Sequence, residues 1–501
     1  MKLNQILENV GIKNTKGNLD IEISNIHSDS RKLKEGALFV AIDGFTSNGI
    51  KYIDSAIENG AIAIIVEPNV DVEELYNKHN IPIISVEDTR KALAIMSSNF
   101  YGNPSKKIKL VGITGTKGKT TSTFMVKSIL QAHGLKVGLI GSIGIFINDE
   151  QIEETDRTTP ESIDIQRLLA YFVEQGVEVA VIETSSQAMK LHRVYGCDFE
   201  IGLFTNLTED HISPKEHPDM EDYFNCKLKL IENAKYAVIN NDDPKVSTIK
   251  DMFPNKVIKT FGIDKAADFK VDPNSIELTG EKIDFNIMYN GNEENVEAKI
   301  PGKFSVYNAA GAIGVGSFFD VKPNEFRAAL KDLKVLGRNE LVPNNIGLNI
   351  IIDYAHTPSS LESILTAVKS YAPKRVICAW GVGGDRDTAK RPIMGEISGR
   401  LADYTILMSD QVRTEDPLKI LKEIEVGIIP TGKPYKIIVD RTEGIKYAIQ
   451  IAEPGDTIVI PGLGNDLYIE RNGVKYPYNE RIIIHDLIEE MIKNGEKKPI
   501  E

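Results

Sequence analysis

Short apolar runs alternate with amphipathic helical patterns along most of this 501-residue chain. Residues 37–42, Ala-Leu-Phe-Val-Ala-Ile, form an unbroken apolar run closed by Asp43-Gly44, and residues 61–66 form another. Runs of this kind, bounded by turn formers, predict buried strands. Between them, residues 52–59 read as a helix with Gly60 as its C-cap. Residues 101–107, Tyr-Gly-Asn-Pro-Ser-Lys-Lys, have linker composition and set the first domain boundary. The middle of the chain repeats the alternation, with strands expected at 109–113, 177–182, 201–206 and 236–240. The stretch 265–301 alternates differently and reads as an inserted β-ribbon. Near residue 336 the pattern restarts, with strands at 348–352, 375–380, 403–408 and 457–460.

Strands separated by helices build parallel sheets, and such sheets bind ligands beyond the carboxyl ends of their strands. The expected fold is therefore α/β with three domains: 1–105, a central P-loop-type parallel-sheet domain at 106–336, and a Rossmann-like domain at 337–501. Thr114, Glu183, Asn206 and Asn240 all fall at strand ends of the central domain and should share one rim.

The most informative junction is Val-Gly-Ile-Thr-Gly-Thr-Lys-Gly-Lys-Thr-Thr at 111–121. An apolar strand runs into a glycine turn, and a helix follows with Phe124, Met125, Ile129 and Leu130 on one face. Backbone N–H groups and the helix N-terminus face an anion there, Lys119 neutralises it, and the Thr120 hydroxyl reaches Mg²⁺. The general phosphate-loop pattern places glycine at 113, where this chain has Ile113, with glycines at 112 and 115. The junction implies that a nucleoside triphosphate is consumed. Glu183, at the end of an apolar strand, is placed to hold Mg²⁺ beside Thr120. His211, in the polar stretch Thr205-Asn206-Leu207-Thr208-Glu209-Asp210-His211, is a candidate for a second metal ion or a phosphate. Asp353 and His356 follow a strand of the last domain as candidate nucleotide groups, and Gly381 to Asp387 forms a glycine-rich, charged strand end. Arg386, Lys390, Arg391 and Arg413 form a basic set suited to a carboxylated substrate.

Composition narrows the class. A net charge of −13 argues against a general nucleic-acid surface. The three cysteines, Cys197, Cys226 and Cys378, are too far apart to suggest a disulfide framework or a zinc site. The first ten residues lack a signal-peptide core, and no apolar run is long enough to span a membrane, which points to a cytoplasmic protein.

Taken in order, Gly115-Thr116-Lys117-Gly118-Lys119-Thr120, Thr158-Thr159-Pro160, Glu183-Thr184-Ser185-Ser186, Thr205-Asn206-Leu207 with Asp210-His211, Asp353-Tyr354-Ala355-His356-Thr357-Pro358 and Gly383-Gly384-Asp385-Arg386-Asp387 resemble the Mur ligases, in particular their UDP-N-acetylmuramoyl-tripeptide synthetases. The resemblance covers nearly the whole chain. It implies an ATP-dependent, Mg²⁺-requiring peptide ligase of peptidoglycan synthesis, acting as a monomer. Its substrates would be ATP, UDP-N-acetylmuramoyl-L-alanyl-D-glutamate and a diamino acid, joined through an acyl phosphate. By resemblance, 1–105 binds the UDP-sugar, 106–336 binds ATP, and 337–501 binds the amino acid. Gly115 to Thr120, Asn308, Arg338 and Asp353 would hold ATP, with Lys119 on the β/γ-phosphates. Thr120 and Glu183 would serve one Mg²⁺, and His211 a second metal. Lys227 falls where the family carries a carbamylated lysine. Ser30, Thr158, Thr159, Ser185 and Arg193 match contacts to the UDP-sugar peptide. Arg386, Asp410, Arg413, Gly462 and Asp466 match the amino-acid site.

Departures fall in the last domain. Diaminopimelate enzymes carry Asp-Asn-Pro-Arg, where this chain has Asp410-Gln411-Val412-Arg413; the retained arginine favours a substrate with a distal carboxylate. The family's Gly-Lys-Gly-His-Glu appears as Gly462-Leu463-Gly464-Asn465-Asp466, and an aspartate there looks more like the lysine-adding enzymes. Lysine and meso-diaminopimelate both stay open. Two other readings are a folylpolyglutamate- or cyanophycin-type ligase, and a P-loop ATPase switch that releases phosphate without an amino-acid acceptor.

Overall fold

The structure, a computed structural model, describes residues 1–44, 48–155, 157–210, 212–213, 216–279 and 282–500. The chain divides into two compact units, one formed by 1–269 with 311–326 and the other by 270–310 with 327–500.

The first unit holds two sheets. Strands β1 (Ile12–Lys16), β2 (Asn25–His27), β3 (Ala37–Val40), β4 (Ala61–Val66) and β5 (Ile83–Val86) form a sheet ordered β1-β5-β4-β3-β2, parallel except for β1. It is covered on both faces. Leu38, Val40, Ala63 and Ile65 enter one apolar cluster, and Ala37, Phe39, Ile64 and Val66 enter the other. Two-sided burial explains why these strands are continuously apolar in sequence. The helix expected at 52–59 is a 3₁₀ turn, Gly49–Tyr52, running into an α-helix, Ile53–Glu58.

The second sheet has nine strands: β6 (Lys109–Thr114), β7 (Val137–Gly141), β8 (Gly144–Ile147), β9 (Glu150–Glu153), β10 (Val179–Glu183), β11 (Phe199–Phe204), β12 (Tyr236–Asn240), β13 (Val257–Gly262) and β14 (Phe269–Lys270). From β13 through β12, β11, β6 and β10 to β7 the pairing is parallel, and β8 and β9 continue it antiparallel. Glu183 pairs with Ile113 and Phe204 with Thr114, so the strand ends around the phosphate loop lie level.

The linker-like stretch 101–107 is packed down rather than loose. Its 3₁₀ turn Pro104–Lys106 buries Pro104 and Ser105. Ser98 Oγ, Ser105 Oγ and Gln166 Nε2 all donate to the Gly196 carbonyl.

In the second unit, β15 (Glu277–Leu278), β16 (Ile283–Tyr289) and β17 (Asn292–Ala298) form the antiparallel ribbon expected from the change of pattern. A six-stranded sheet follows: β18 (Glu340–Val342), β19 (Asn349–Asp353), β20 (Val376–Trp380), β21 (Tyr404–Leu407), β22 (Tyr435–Ile437) and β23 (Thr457–Pro461), ordered β18-β19-β23-β20-β21-β22. Only β18 runs antiparallel to its neighbour. Alternate residues again serve opposite faces: Ile350, Ile352, Ile458 and Ile460 on one, Ile351 and Val459 on the other. A hairpin of β24 (Tyr468–Arg471) and β25 (Val474–Pro477) stands beyond β23.

Candidate active site

The glycine turn after β6 has backbone that only glycine adopts freely. Gly115 has φ 145°, and a Cβ there would lie 1.9 Å from Thr205 Oγ1. Gly118, at φ 81°, is the N-cap of the helix Lys119–Ala132. Lys119 curls back, its Nζ donating to the carbonyls of Gly115 at 2.9 Å and Thr116 at 3.0 Å. The loop is pinned from β11 and beyond. Asn206 accepts from Lys117 N at 2.9 Å, Thr205 Oγ1 donates to Lys117 O at 2.7 Å, and Asn240 Nδ2 donates to Thr205 O at 2.9 Å. The four rim residues of the sequence reading are thus gathered, Thr114 through its carbonyl, which accepts from Thr205 N. Lys117 pairs with Asp210 at 2.8 Å.

Glu183 is fully buried at the end of β10. Its carboxylate accepts from Thr120 Oγ1 at 3.1 Å and from the amide and hydroxyl of Ser142, each at 3.0 Å. Ser142, which sequence reasoning missed, also donates to Thr158 Oγ1 at 3.0 Å. Thr159 Oγ1 donates to Glu183 O at 2.7 Å and accepts from Ser185 N at 3.1 Å. Arg193 Nη1 donates to Thr159 O at 3.1 Å, and Nη2 pairs with Glu161 at 3.1 Å. Thr158, Thr159, Ser185, Arg193 and Glu183 are therefore one connected patch. Ser30 is buried in a 3₁₀ turn capped by Asp29, whose carboxyl is held down at about 2 by its bond from Arg31. Burial lowers the neighbouring His27, which also lies within electrostatic range of Glu161, the partner of Arg193.

Lys227, on the helix Met220–Asn233, is 1% exposed. Its Nζ donates to the Gly115 carbonyl at 2.8 Å and lies 4.4 Å from the Tyr223 ring centroid. Burial and the nearby Lys119 cation hold its amine well below the usual lysine range. The helix-surface lysine suggested by sequence alone is thus a buried amine facing the phosphate loop. His211 lies outside the described residues.

A second chain of bonds escaped the sequence. His217, fully buried, has Nδ1 2.6 Å from Asp222 Oδ2 and Nε2 2.9 Å from Ser186 Oγ. Cys226 lies close enough for His217, Asp222 and Cys226 to resemble a metal cluster. The Lys190 ammonium, however, bonds Asp222 at 2.9 Å, so the group is a hydrogen-bond chain tying the Glu183 loop to the helix of Lys227. Its signal was the unassigned polar stretch between residues 211 and 223.

In the second unit, Asn308 is buried in the helix Lys303–Gly316. Arg338 stacks 4.7 Å from the Tyr354 ring centroid, and Asp353 accepts from Asn339 N at 2.7 Å and Ala355 N at 2.8 Å. A Cβ on Gly337 would lie 2.4 Å from Asn465 N, so this turn abuts the 462–466 loop.

Asp466 lies close enough to Asp410 to feel its charge. Burial raises the Asp466 carboxyl, opposed by a bond from Gln411. Asp410 is backed by Arg441 at 3.5 Å, an arginine 1% exposed that also binds Glu480 at 2.7 Å. Gly462, φ 128°, leaves room for Asp410, because a Cβ would lie 2.2 Å from its Oδ2. Arg413 donates to Gly384 O at 2.7 Å. Arg386 is exposed. Arg391, counted above in the basic set, is corrected to a structural role: it is fully buried and paired with Glu415 at 2.8 Å and Glu423 at 2.6 Å. Lys390 donates to His356 O at 2.9 Å.

In the first unit a glycine turn with a buried carboxylate behind it, and in the second a pair of neighbouring acids, are the features that comparison with known proteins can place. Models of the Mur ligase family catalytic domain, the Mur ligase middle domain and the Mur ligase glutamate ligase domain match residues 22–101, 113–316 and 337–464. The chain belongs to the Mur ligase family, and it has that family's three-domain α/β fold.

Among its relatives, the UDP-N-acetylmuramoyl-L-alanyl-D-glutamate–2,6-diaminopimelate ligase of Clostridium botulinum is 43% identical, over 98% of this chain and 100% of its own. The enzyme of the same name from Caldanaerobacter subterraneus is 42% identical over the same shares. A solved structure of a ligase of that name superposes with a TM-score of 0.68 at 26% identity, covering 98% of this chain and 99% of its own. A Mycobacterium tuberculosis folylpolyglutamate synthase shares the fold at 17% identity over 75% of the chain. Among the described residues no helix is long and apolar enough to cross a membrane.

Proposed function

We propose that this Mur ligase uses ATP to join a diamino acid, meso-diaminopimelate, to UDP-N-acetylmuramoyl-L-alanyl-D-glutamate in the cytoplasm. Full-length likeness to relatives of that name, 43% and 42% identical, carries the reading. We assign 1–105 to the UDP-sugar, 106–336 to ATP and 337–501 to the amino acid.

In this reading a carboxylate oxygen of the D-glutamyl residue attacks the γ-phosphorus and ADP leaves. The amine of the incoming amino acid then attacks the acyl carbon, phosphate leaves, and the new amide nitrogen gives up its proton. Lys119 exchanges the loop carbonyls for the transferring phosphoryl oxygens. Arg193, Thr159 and Ser185 hold the muramoyl peptide beside the loop. Asp410 and Asp466 receive the distal ammonium, and Arg413 the distal carboxylate. The buried Glu183 carboxylate with the Thr120 hydroxyl is a hard oxygen set that fits Mg²⁺. Bound there, Mg²⁺ supplies charge neutralisation for the phosphates. Lys227, held below the usual lysine range by burial, suits carbamylation, since the neutral amine is the form that adds carbon dioxide.

Phosphate release should require ATP, the UDP-sugar dipeptide and one amine from a panel of meso-diaminopimelate, L-lysine and L-ornithine. Release without any acceptor would support the switch reading instead, and turnover with lysine alone would remove diaminopimelate. Lys119→Ala should lower kcat/KM for phosphate release by about 100-fold or more; near-normal turnover would sink the assignment of the loop.

A further inference from the structure

Arg413 has a left-handed backbone, φ 50°, and lies along β24. Its N donates to Glu470 O at 3.1 Å, and its carbonyl accepts from Asn472 N at 2.7 Å. This pairing holds Glu470 beside it, with the carboxylate 3.6 Å from Arg413 Nε. The two side chains are only 24% and 28% exposed. Gln411 locks the arrangement from below. Its Oε1 accepts from Glu470 N at 2.6 Å, while its Nε2 donates to Tyr468 O at 3.1 Å and Asp466 Oδ2 at 3.2 Å. Gln411 therefore fixes in one frame the acid expected to meet the substrate ammonium and the hairpin that carries Glu470.

We infer that Glu470 is a specificity-determining residue, setting how strongly this site demands a carboxylate at the far end of the incoming amino acid. The inference rests on the reading that Arg413 faces that end. A sheltered guanidinium with no counter-charge rejects a substrate that leaves it unpaired, which makes a site selective. Here the protein supplies a counter-charge of its own. A substrate ending in a methylene ammonium leaves Arg413 paired with Glu470. A substrate with a distal carboxylate must share Arg413 with Glu470 and meets the repulsion of that second carboxylate. Discrimination for the distal carboxylate is compressed from both sides. Lys475 lies within electrostatic range of both Glu470 and Asp466.

The test is kcat/KM for meso-diaminopimelate over that for L-lysine, measured on the full chain with saturating ATP and UDP-sugar dipeptide. Glu470→Gln keeps the length and the backbone bonds and removes the charge. It should raise the ratio roughly fivefold, the worth of one partly exposed ion pair. The change should appear in the amino-acid KM, with the UDP-sugar KM unmoved. Glu470→Asp, which keeps the charge but withdraws it, should raise the ratio by less and decides the matter if the glutamine variant does not fold. Arg413→Ala should lower the ratio. An unchanged ratio in both Glu470 variants alongside a lowered one in Arg413→Ala overturns the inference and leaves the reading of Arg413 standing. An unchanged ratio in Arg413→Ala overturns that reading, and the inference with it.

Discussion

Arg391 shows how far one residue's role depends on where its neighbours fold. It stands in a run of basic residues near a glycine-rich strand end, yet its guanidinium is buried between Glu415 and Glu423. The Arg391 bond holds the Glu415 carboxyl at about 2, below its ordinary 4.5. A depressed carboxylate contributes stability that is full above the unfolded value and is lost as pH falls toward the folded one. Glu415→Gln should therefore cost about 1–2 kcal/mol at neutral pH. The deficit relative to wild type should shrink as pH drops from 4.5 toward about 2, read by urea unfolding at several pH values; a deficit independent of pH would remove the ion pair as its cause. Lys227 makes the same point from the other side. Its sequence neighbours describe an ordinary helix, and only packing against Gly115 and Tyr223 buries its amine and holds it below the usual lysine range. Lys119, Thr120 and Glu183 were legible because a strand, a turn and a helix place them by local rules. Gln411, Glu470 and Arg441 were not, because their partners lie 30 or more residues away in chains of bonds no spacing announces.

At the level of elements, two-sided burial made the strands readable. Parallel strands such as β3, β4 and β20 are apolar throughout, and the antiparallel ribbon β15 to β17 betrays itself by its different alternation. In the stretch 101–107, Pro, Gly and Ser signal a break in regular structure, not looseness; here the break is buried on Gly196. The Ser186–His217–Asp222 chain joins the loop after β10 to the helix Met220–Asn233, so two elements that each carry site residues move as one. His217→Asn should remove one of its two bonds and leave a buried partner unsatisfied, costing about 2–4 kcal/mol. The loop of Ser185 should loosen with it, raising the KM for the UDP-sugar dipeptide more than that for the amino acid. Denaturant unfolding and paired KM measurements check this, and equal changes in both KM values would reduce His217 to general packing.

Across the whole molecule the residues proposed for the UDP-sugar peptide and for the amino acid sort by unit. Ser30, Thr158, Thr159, Ser185 and Arg193 all belong to the first, and Arg386, Asp410, Arg413, Gly462 and Asp466 to the second. Large chains with separate cores unfold in more than one step. Calorimetry should resolve two transitions. UDP-sugar dipeptide at about 100 times its Kd should stabilise one of them by about 2.7 kcal/mol and leave the other in place. A single transition, or an equal shift of two, would contradict independent cores with segregated ligands.

The Gly115 carbonyl described above receives both Lys119 and Lys227. The loop therefore carries an internal oxygen dipole on which the lysine rests. In the proposed reaction, phosphate enters not a bare positive cavity but one whose lysine already rests on a carbonyl. On that reading product release is a substitution with a ready successor, the Gly115 oxygen, rather than the exposure of a stranded charge.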